Sequence, residues 1–377
     1  MSLKFEVIII GGGLAGLCSA LNLSLKGIKV LVVEKNEYPK HKVCGEYISN
    51  EVLPYLQSLG FNPFDFGAKK ITELTLSTNG SRSMQTKLPL GGFGISRFCM
   101  DAELAKCAQA AGAQFLRARV LDVSFDGDEF EVSTNESANY KSKFVIGAFG
   151  KRSNLDVKMK RDFIQRKSPF VGVKAHYIGD FPDNQVGLHN FEGGYCGISK
   201  VENDRINICY LTDYQSFKKY NSLEEFQEKV LTKNEYLKDA FKNYRLSFEK
   251  PITISQISFL EKAPVEDHIL MCGDSAGMIH PLAGNGMGMA IRSAQLLSQL
   301  LLRFQAGEIT SRVELEENYQ AQWKKEFGTR LKYGHLISRA FRMGILSECM
   351  MMAIQKMPFL LPLIVKKTHG KPMKSIS

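Results

Sequence analysis

No pair of cysteines stands at CxxC spacing and no Cys/His cluster has the spacing of a zinc site, although the 377-residue sequence holds eight cysteines. Their scatter excludes a zinc-ribbon or dithiol redox motif and predicts a reduced, cytoplasmic chain. No apolar run approaches the roughly twenty residues that a membrane-spanning helix needs. The one from Met357 to Val365 is interrupted by Pro358 and Pro362. The apolar segment Phe5 to Ile10 runs straight into glycines with no small-residue cleavage site behind it, so an export signal is not expected. Acid is scarce at one end only: from Lys324 onward eleven Lys and Arg face two acids, Glu326 and Glu348. That surplus accounts for nearly all of the net charge of +10. The remainder is close to neutral, which excludes a basic face spread along the chain for nucleic acid.

What is present is an ordinary globular composition, 44% hydrophobic and 23% charged, in a chain long enough for two or more lobes. Apart from Glu6, Phe5 to Ile10 is an apolar, β-branched run, the pattern of a parallel strand buried on both faces. Gly11-Gly12-Gly13-Leu14-Ala15-Gly16 follows, a GxGxxG with Gly11, Gly13 and Gly16 in the three required places. Gly11 permits the tight turn, Gly13 lets backbone approach a pyrophosphate, and Gly16 lets helix and strand pack closely. A helix from Leu17 to Lys26, ended by Gly27, offers its N-terminus to the phosphates. A second strand, Lys29 to Val33, delivers Glu34 to where a carboxylate accepts the ribose hydroxyls of an adenosine. The motif predicts a dinucleotide site and leaves NAD or FAD open.

A second glycine-rich segment decides between them. Ile269 to Gly277 reads as a strand entering a turn, followed by His280-Pro281-Leu282-Ala283-Gly284-Asn285-Gly286-Met287-Gly288 and a helix from Met289 to Phe304. This segment resembles the second flavin fingerprint of the FAD-dependent family that contains aromatic-ring hydroxylases and geranylgeranyl reductases. The resemblance implies that Asp274 binds ribityl or phosphate oxygens, and that bare backbone at Gly284, Gly286 and Gly288 lies beside the isoalloxazine ring. Asp274 could equally serve as a cap for the segment after it. Ile95 to Leu104 resembles the same family and places Arg97 near the flavin phosphates. Phe144 to Ser153 aligns with a strand and turn that usually carries an aspartate, and Phe149 stands in its place. The candidate cofactor contacts implied by the resemblance are completed by Leu14, Ala15, Lys35, Val120, Gly273, Pro281 and Met287.

Cys44-Gly45-Glu46 follows the second strand, and a Cys-Gly pair there resembles the geranylgeranyl reductase branch, whose cysteine lies near the ring. For Cys44 the alternative is an ordinary half-buried side chain. The Trp-x-Trp-x-Ile-Pro signature of flavin halogenases is absent, Trp323 being the single tryptophan. Gly193 to Gly197 is expected at a turn, with Tyr195 lining the substrate pocket. The fold expected is α/β: a discontinuous Rossmann-like FAD-binding domain (residues 1–70, 91–157 and 261–309), an inserted mixed β-sheet substrate domain (71–90 and 158–260) and a basic helical C-terminal region (310–377), in the architecture of p-hydroxybenzoate hydroxylase. The function expected is hydride transfer from reduced FAD to a carbon–carbon double bond of a hydrophobic, isoprenoid, lipid or carrier-tethered substrate, with Cys44, Gly45 and Tyr195 at the reacting centre and NADPH or NADH as electron donor. The alternatives are an FAD-dependent monooxygenase acting on an aromatic or polyene, and a non-catalytic flavoprotein that binds lipid or a partner. The basic, apolar C-terminal region is either a set of helices packed on the body with solvated lysines, or a surface for an anionic membrane on its inner face.

Overall fold

The computed structural model describes residues 3–80, 82–136, 138–166, 168–280, 285–342, 344–357 and 359–375. Two sheets organise them. At the centre of the first lies Leu3–Ile10, parallel to Val30–Glu34 on one side and to Asn139–Gly147 on the other. Gln114–Arg117 extends it beyond Val30–Glu34, and Ile269–Met271 extends it beyond Asn139–Gly147, both parallel. The central stretches of the inner strands are apolar without alternation because both faces are covered there: Ile8, Ile9, Val30, Val32, Val145 and Ile146 are fully buried. The helices Leu14–Leu25, Arg97–Ala110 and Gly286–Gln305 pack together with Leu14–Leu25 in the middle. An antiparallel ribbon, Val120–Asp126 with Glu129–Thr134, joins the first half of Asn139–Gly147.

The second sheet has nine strands and is antiparallel except where Gln185–Phe191 runs parallel to Lys69–Ser77. Its middle strands alternate. Val171, Val173, Cys196, Ile208 and Tyr210 face the helices Leu223–Lys229 and Glu235–Asn243, through Phe226, Leu237 and Ala240. Phe170, Tyr195 and Leu211 face the opposite way, toward Ile257, Phe259 and Met278. Period-two patterning therefore separates a structural face from a face turned to the first lobe. Strands Tyr47–Ser49 and the end of Ser83–Gly94 also join this sheet, although both lie in stretches that the sequence assigns to the cofactor lobe.

Three local expectations need correction, the placing of Tyr195 and the starts of two helices. Tyr195 lies in the strand Gly194–Lys200 and not in a turn; the reversal comes earlier, where Gly193 takes φ +83°. The first helix begins at Leu14, directly after Gly13, and the late helix begins at Gly286, so glycines that read as loop form helical first turns. The C-terminal region, by contrast, is helical and packs on the body, the first of its two expected forms: Arg312–Arg342 lies along Gly286–Gln305, and Gly344–Lys356 and Leu360–Thr368 fold back over the second sheet. Met351, Ile354, Leu361 and Val365 bury against Ile71, Leu74, Leu76, Leu88 and Val186.

Candidate cofactor and substrate site

A cavity of about 1340 Å³ opens where the two sheets and the C-terminal helices meet. Its first end is the turn after the Leu3–Ile10 strand. Gly11 has φ +106°, and a Cβ there would lie 2.5 Å from the Ala148 carbonyl oxygen. A Cβ on Gly16 would lie 2.0 Å from the Gly11 oxygen, so this glycine sets the helix against the turn and does not itself border the cavity. Gly13 is different. A Cβ there would meet only the Arg97 guanidinium at 3.5 Å and the Lys42 ammonium at 3.8 Å. A bare backbone at a helix N-terminus, faced by two cations, has the charge and the clearance that a pyrophosphate requires, so the residues present fit the dinucleotide.

Those cations are held in place. Arg97 Nε and Nη2 donate to both oxygens of Asp101 at 2.7 and 2.8 Å, and Lys42 Nζ donates to Asp101 at 2.8 Å. Burial raises the Asp101 carboxyl, but Arg97 and Lys42 more than reverse that and hold it below its ordinary value. Glu34 ends the second strand with one oxygen accepting from the Gly12 amide at 2.8 Å and the other from the Asn36 amide at 2.9 Å. It borders the cavity together with Lys35, Leu14, Ala15, Arg97 and Val120.

Asp274 enters the same cavity from the turn Gly273–Ser275, beside Gly286 and Met287. Gly273 has φ +66°, and a Cβ there would press on Ala15 at 2.9 Å. This turn is tied from behind. Lys262 Nζ donates to the Asp274 carbonyl at 2.7 Å and to the Lys151 carbonyl at 3.1 Å, and Arg161 Nη1 donates to the Ser275 carbonyl and to Asp156, both at 2.9 Å. Burial pushes the Lys262 ammonium down to about 8. Gly288 lies off the cavity, where its missing side chain makes room for Asn285 Oδ1. Pro281 and Gly284 lie outside the described residues.

Cys44, Gly45 and Tyr195 border the cavity. Burial holds the Tyr195 hydroxyl well above its ordinary pKa, so it stays protonated. Beyond them the walls become apolar: Leu74, Leu76, Leu88 and Val186 from the second sheet face Ile354, Leu361 and Val365 from the C-terminal helices. Sequence reasoning missed several bordering groups, among them His41, Lys42, Glu46 and Lys151. Each lies in irregular backbone and meets partners far along the chain, so no local spacing could have announced it. Among the described residues no cluster of His, Cys, Asp and Glu could hold a metal ion.

Comparison with known proteins gives three findings. The profile of the family described as "FAD binding domain" matches residues 4–324. Among curated proteins, the chain is 26% identical to a digeranylgeranylglycerophospholipid reductase of Methanocaldococcus jannaschii, over 88% of this chain and 83% of that one. It is 23% identical to the protein of that name from Methanococcus aeolicus, over 86% and 83%. Among solved structures, the flavin-dependent brominase Bmp2 superposes with a TM-score of 0.79 at 17% identity, covering 97% of this chain and 94% of that one. The halogenase PltM, solved with phloroglucinol and FAD, gives 0.76 at 17% identity, covering 91% and 78%. At such identity these two structures speak for the fold alone, the α/β architecture expected from the sequence.

Proposed function

The chain belongs to the FAD-binding domain family and is an FAD-dependent oxidoreductase, and on that premise we propose that it reduces carbon–carbon double bonds in a lipid-like isoprenoid substrate. The observation that carries this reading is the apolar wing of the cavity, continuous with the dinucleotide cradle and walled on one side by Leu361 and Val365. The named activity of the archaeal relatives supports it. Bound, reduced FAD supplies the hydride. The protein's own residues hold and shield: Gly13, Arg97 and Lys42 take the pyrophosphate, Glu34 the adenosine ribose, and Asp274 the ribityl chain. Leu74, Leu76 and Leu88 exclude water from the substrate chain. Tyr195, kept protonated by burial, presents an O–H to the reacting centre. NADPH or NADH is the proposed donor, with Phe149 on the cavity wall.

The outer face of the C-terminal helices supports docking on an anionic membrane. Met352, Met357, Phe359 and Leu363 are exposed beside Lys356, Lys366 and Lys367. Apolar side chains flanked by lysines suit an interfacial helix pair. No single helix among the described residues is long and apolar enough to cross a membrane.

The test is anaerobic incubation of chemically reduced holoprotein with a digeranylgeranyl phospholipid, read by mass spectrometry. Gain of H₂ per double bond, with reoxidation of the flavin, is expected. Incorporation of labelled dioxygen into product would replace the reductase with a monooxygenase.

A further inference from the structure

Glu46 follows the Cys44-Gly45 pair, is fully buried, and takes φ +55°, a conformation that a residue with a long side chain rarely adopts. It is held from both lobes. From the second sheet, the Lys174 ammonium and His176 Nε2 (2.7 Å) each bond one carboxylate oxygen. From the first lobe, the Arg97 amide donates to it at 2.7 Å, and the Ile95 amide takes its carbonyl at 3.2 Å. The carbonyls just before it are also engaged: Lys151 Nζ donates to Val43, and Asn207 Nδ2 donates to Cys44 and Gly45 at 3.2 and 2.9 Å.

We propose that Glu46 is a positioning residue whose side chain, gripped by Lys174, His176 and the Arg97 amide, fixes Cys44 and Gly45 at the reacting centre. The inference rests on the flavin reading for what the segment faces, and on geometry for the grip. Burial raises the Glu46 carboxyl and Lys174 and His176 more than reverse it, so the group they hold is the carboxylate. His41, half-buried, contacts His176 edge-on at 5.0 Å and packs on Phe98 and Phe248 at 4.4 and 4.5 Å, closing the cluster toward the cavity. A buried carboxylate in a left-handed backbone is a costly way to end a loop, and its three partners converge from elements distant in sequence.

The experiment separates reach from charge. Removing Glu46 alone would strand the Lys174 ammonium and could prevent folding. Two charge-balanced double variants avoid this: Glu46→Gln with Lys174→Met keeps a side chain long enough for His176 and the Arg97 amide, whereas Glu46→Asn with Lys174→Met tolerates the positive φ but is too short. The readout is the rate at which maleimide labels Cys44 in peptide-resolved mass spectrometry, with exposed Cys349 as internal reference. The Asn variant is expected to label at least about tenfold faster than the Gln variant, the scale of a lost hydrogen bond to a charged or buried group. The Gln variant is expected to stay near the wild-type rate and, loaded with FAD, to keep the wild-type visible spectrum, which the Asn variant loses. Equal labelling of both variants and the wild type overturns the proposal. Labelling needs no bound cofactor, so a protein that takes up no FAD would sink the flavin reading while leaving this comparison to report on the grip.

Discussion

At the scale of single residues, the site is set by a few backbone positions where a side chain has no room. Gly11→Ala would push a methyl group against the Ala148 carbonyl in a backbone conformation that alanine avoids. We expect it to cost about 1–3 kcal/mol in urea unfolding and to abolish FAD retention, whereas Gly27→Ala, whose Cβ would meet nothing within 4 Å, should cost less and retain FAD. His189 supplies a pH prediction. It is buried, its Nδ1 lies 2.8 Å from Ser77 Oγ, and burial lowers its pKa from 6.5 to about 3. Between those values the unfolded chain takes up a proton that the folded protein refuses. Stability is therefore full above pH 6.5 and declines as pH falls through that window, by about 1.4 kcal/mol per pH unit from this one group. Urea titrations at pH 7, 6 and 5 should show the decline, and His189→Gln should make it shallower, leaving the share of His41, whose pKa burial lowers to about 4. The first glycines and Glu34 could be read from the sequence because their spacing within one strand-turn-helix-strand is itself the signal, even though Gly11 is crowded by the distant Ala148. Lys42 could not, since its partner Asp101 is 59 residues away, nor could Glu46, which is 130 residues from His176.

Whole elements show a similar division. The central stretches of the first sheet, Val7 to Ile10, Val30 to Val33 and Phe144 to Ile146, were legible as apolar runs because both faces are buried there, whereas Gln114–Arg117 and the antiparallel ribbon, partly exposed and mixed in polarity, carried no such signal. Tyr195 was misplaced because a Gly-Gly-aromatic-Cys-Gly string reads as a turn, when the small residues serve a strand whose neighbours crowd it: a Cβ on Gly194 would sit 2.2 Å from the Leu211 oxygen. The C-terminal helices left two readings open, since one apolar pattern serves core and membrane alike. Their two faces now make opposite predictions. Leu361→Ala should destabilise the protein by about 2–5 kcal/mol, since it empties a buried position. Leu363→Glu, at an exposed position, should leave thermal unfolding nearly unchanged and weaken cosedimentation with phosphatidylglycerol vesicles. Equal vesicle binding by Leu363→Glu and wild type would leave the exposed face as ordinary solvated surface.

For the whole molecule, the cavity is a joint property of both sheets and the C-terminal helices, and an FAD held across it should tighten all three together. Free FAD at a hundredfold over its dissociation constant should add about 2.7 kcal/mol to unfolding, a concentration-dependent rise in melting temperature. Proteolysis followed over time should show the C-terminal helices protected by the cofactor along with the cradle. The central sheet has one more consequence. Leu3–Ile10 lies beside Asn139–Gly147, which lies beside Ile269–Met271. During translation the glycine loop leaves the ribosome long before the strand that leads to Asp274, which is among the last of its sheet to be made. Leu3–Ile10 has both its neighbours once residue 147 has been made, but the outer edge of Asn139–Gly147 stays unpaired until residue 271 has emerged, so late closure of the sheet follows from the order in which this protein is synthesised.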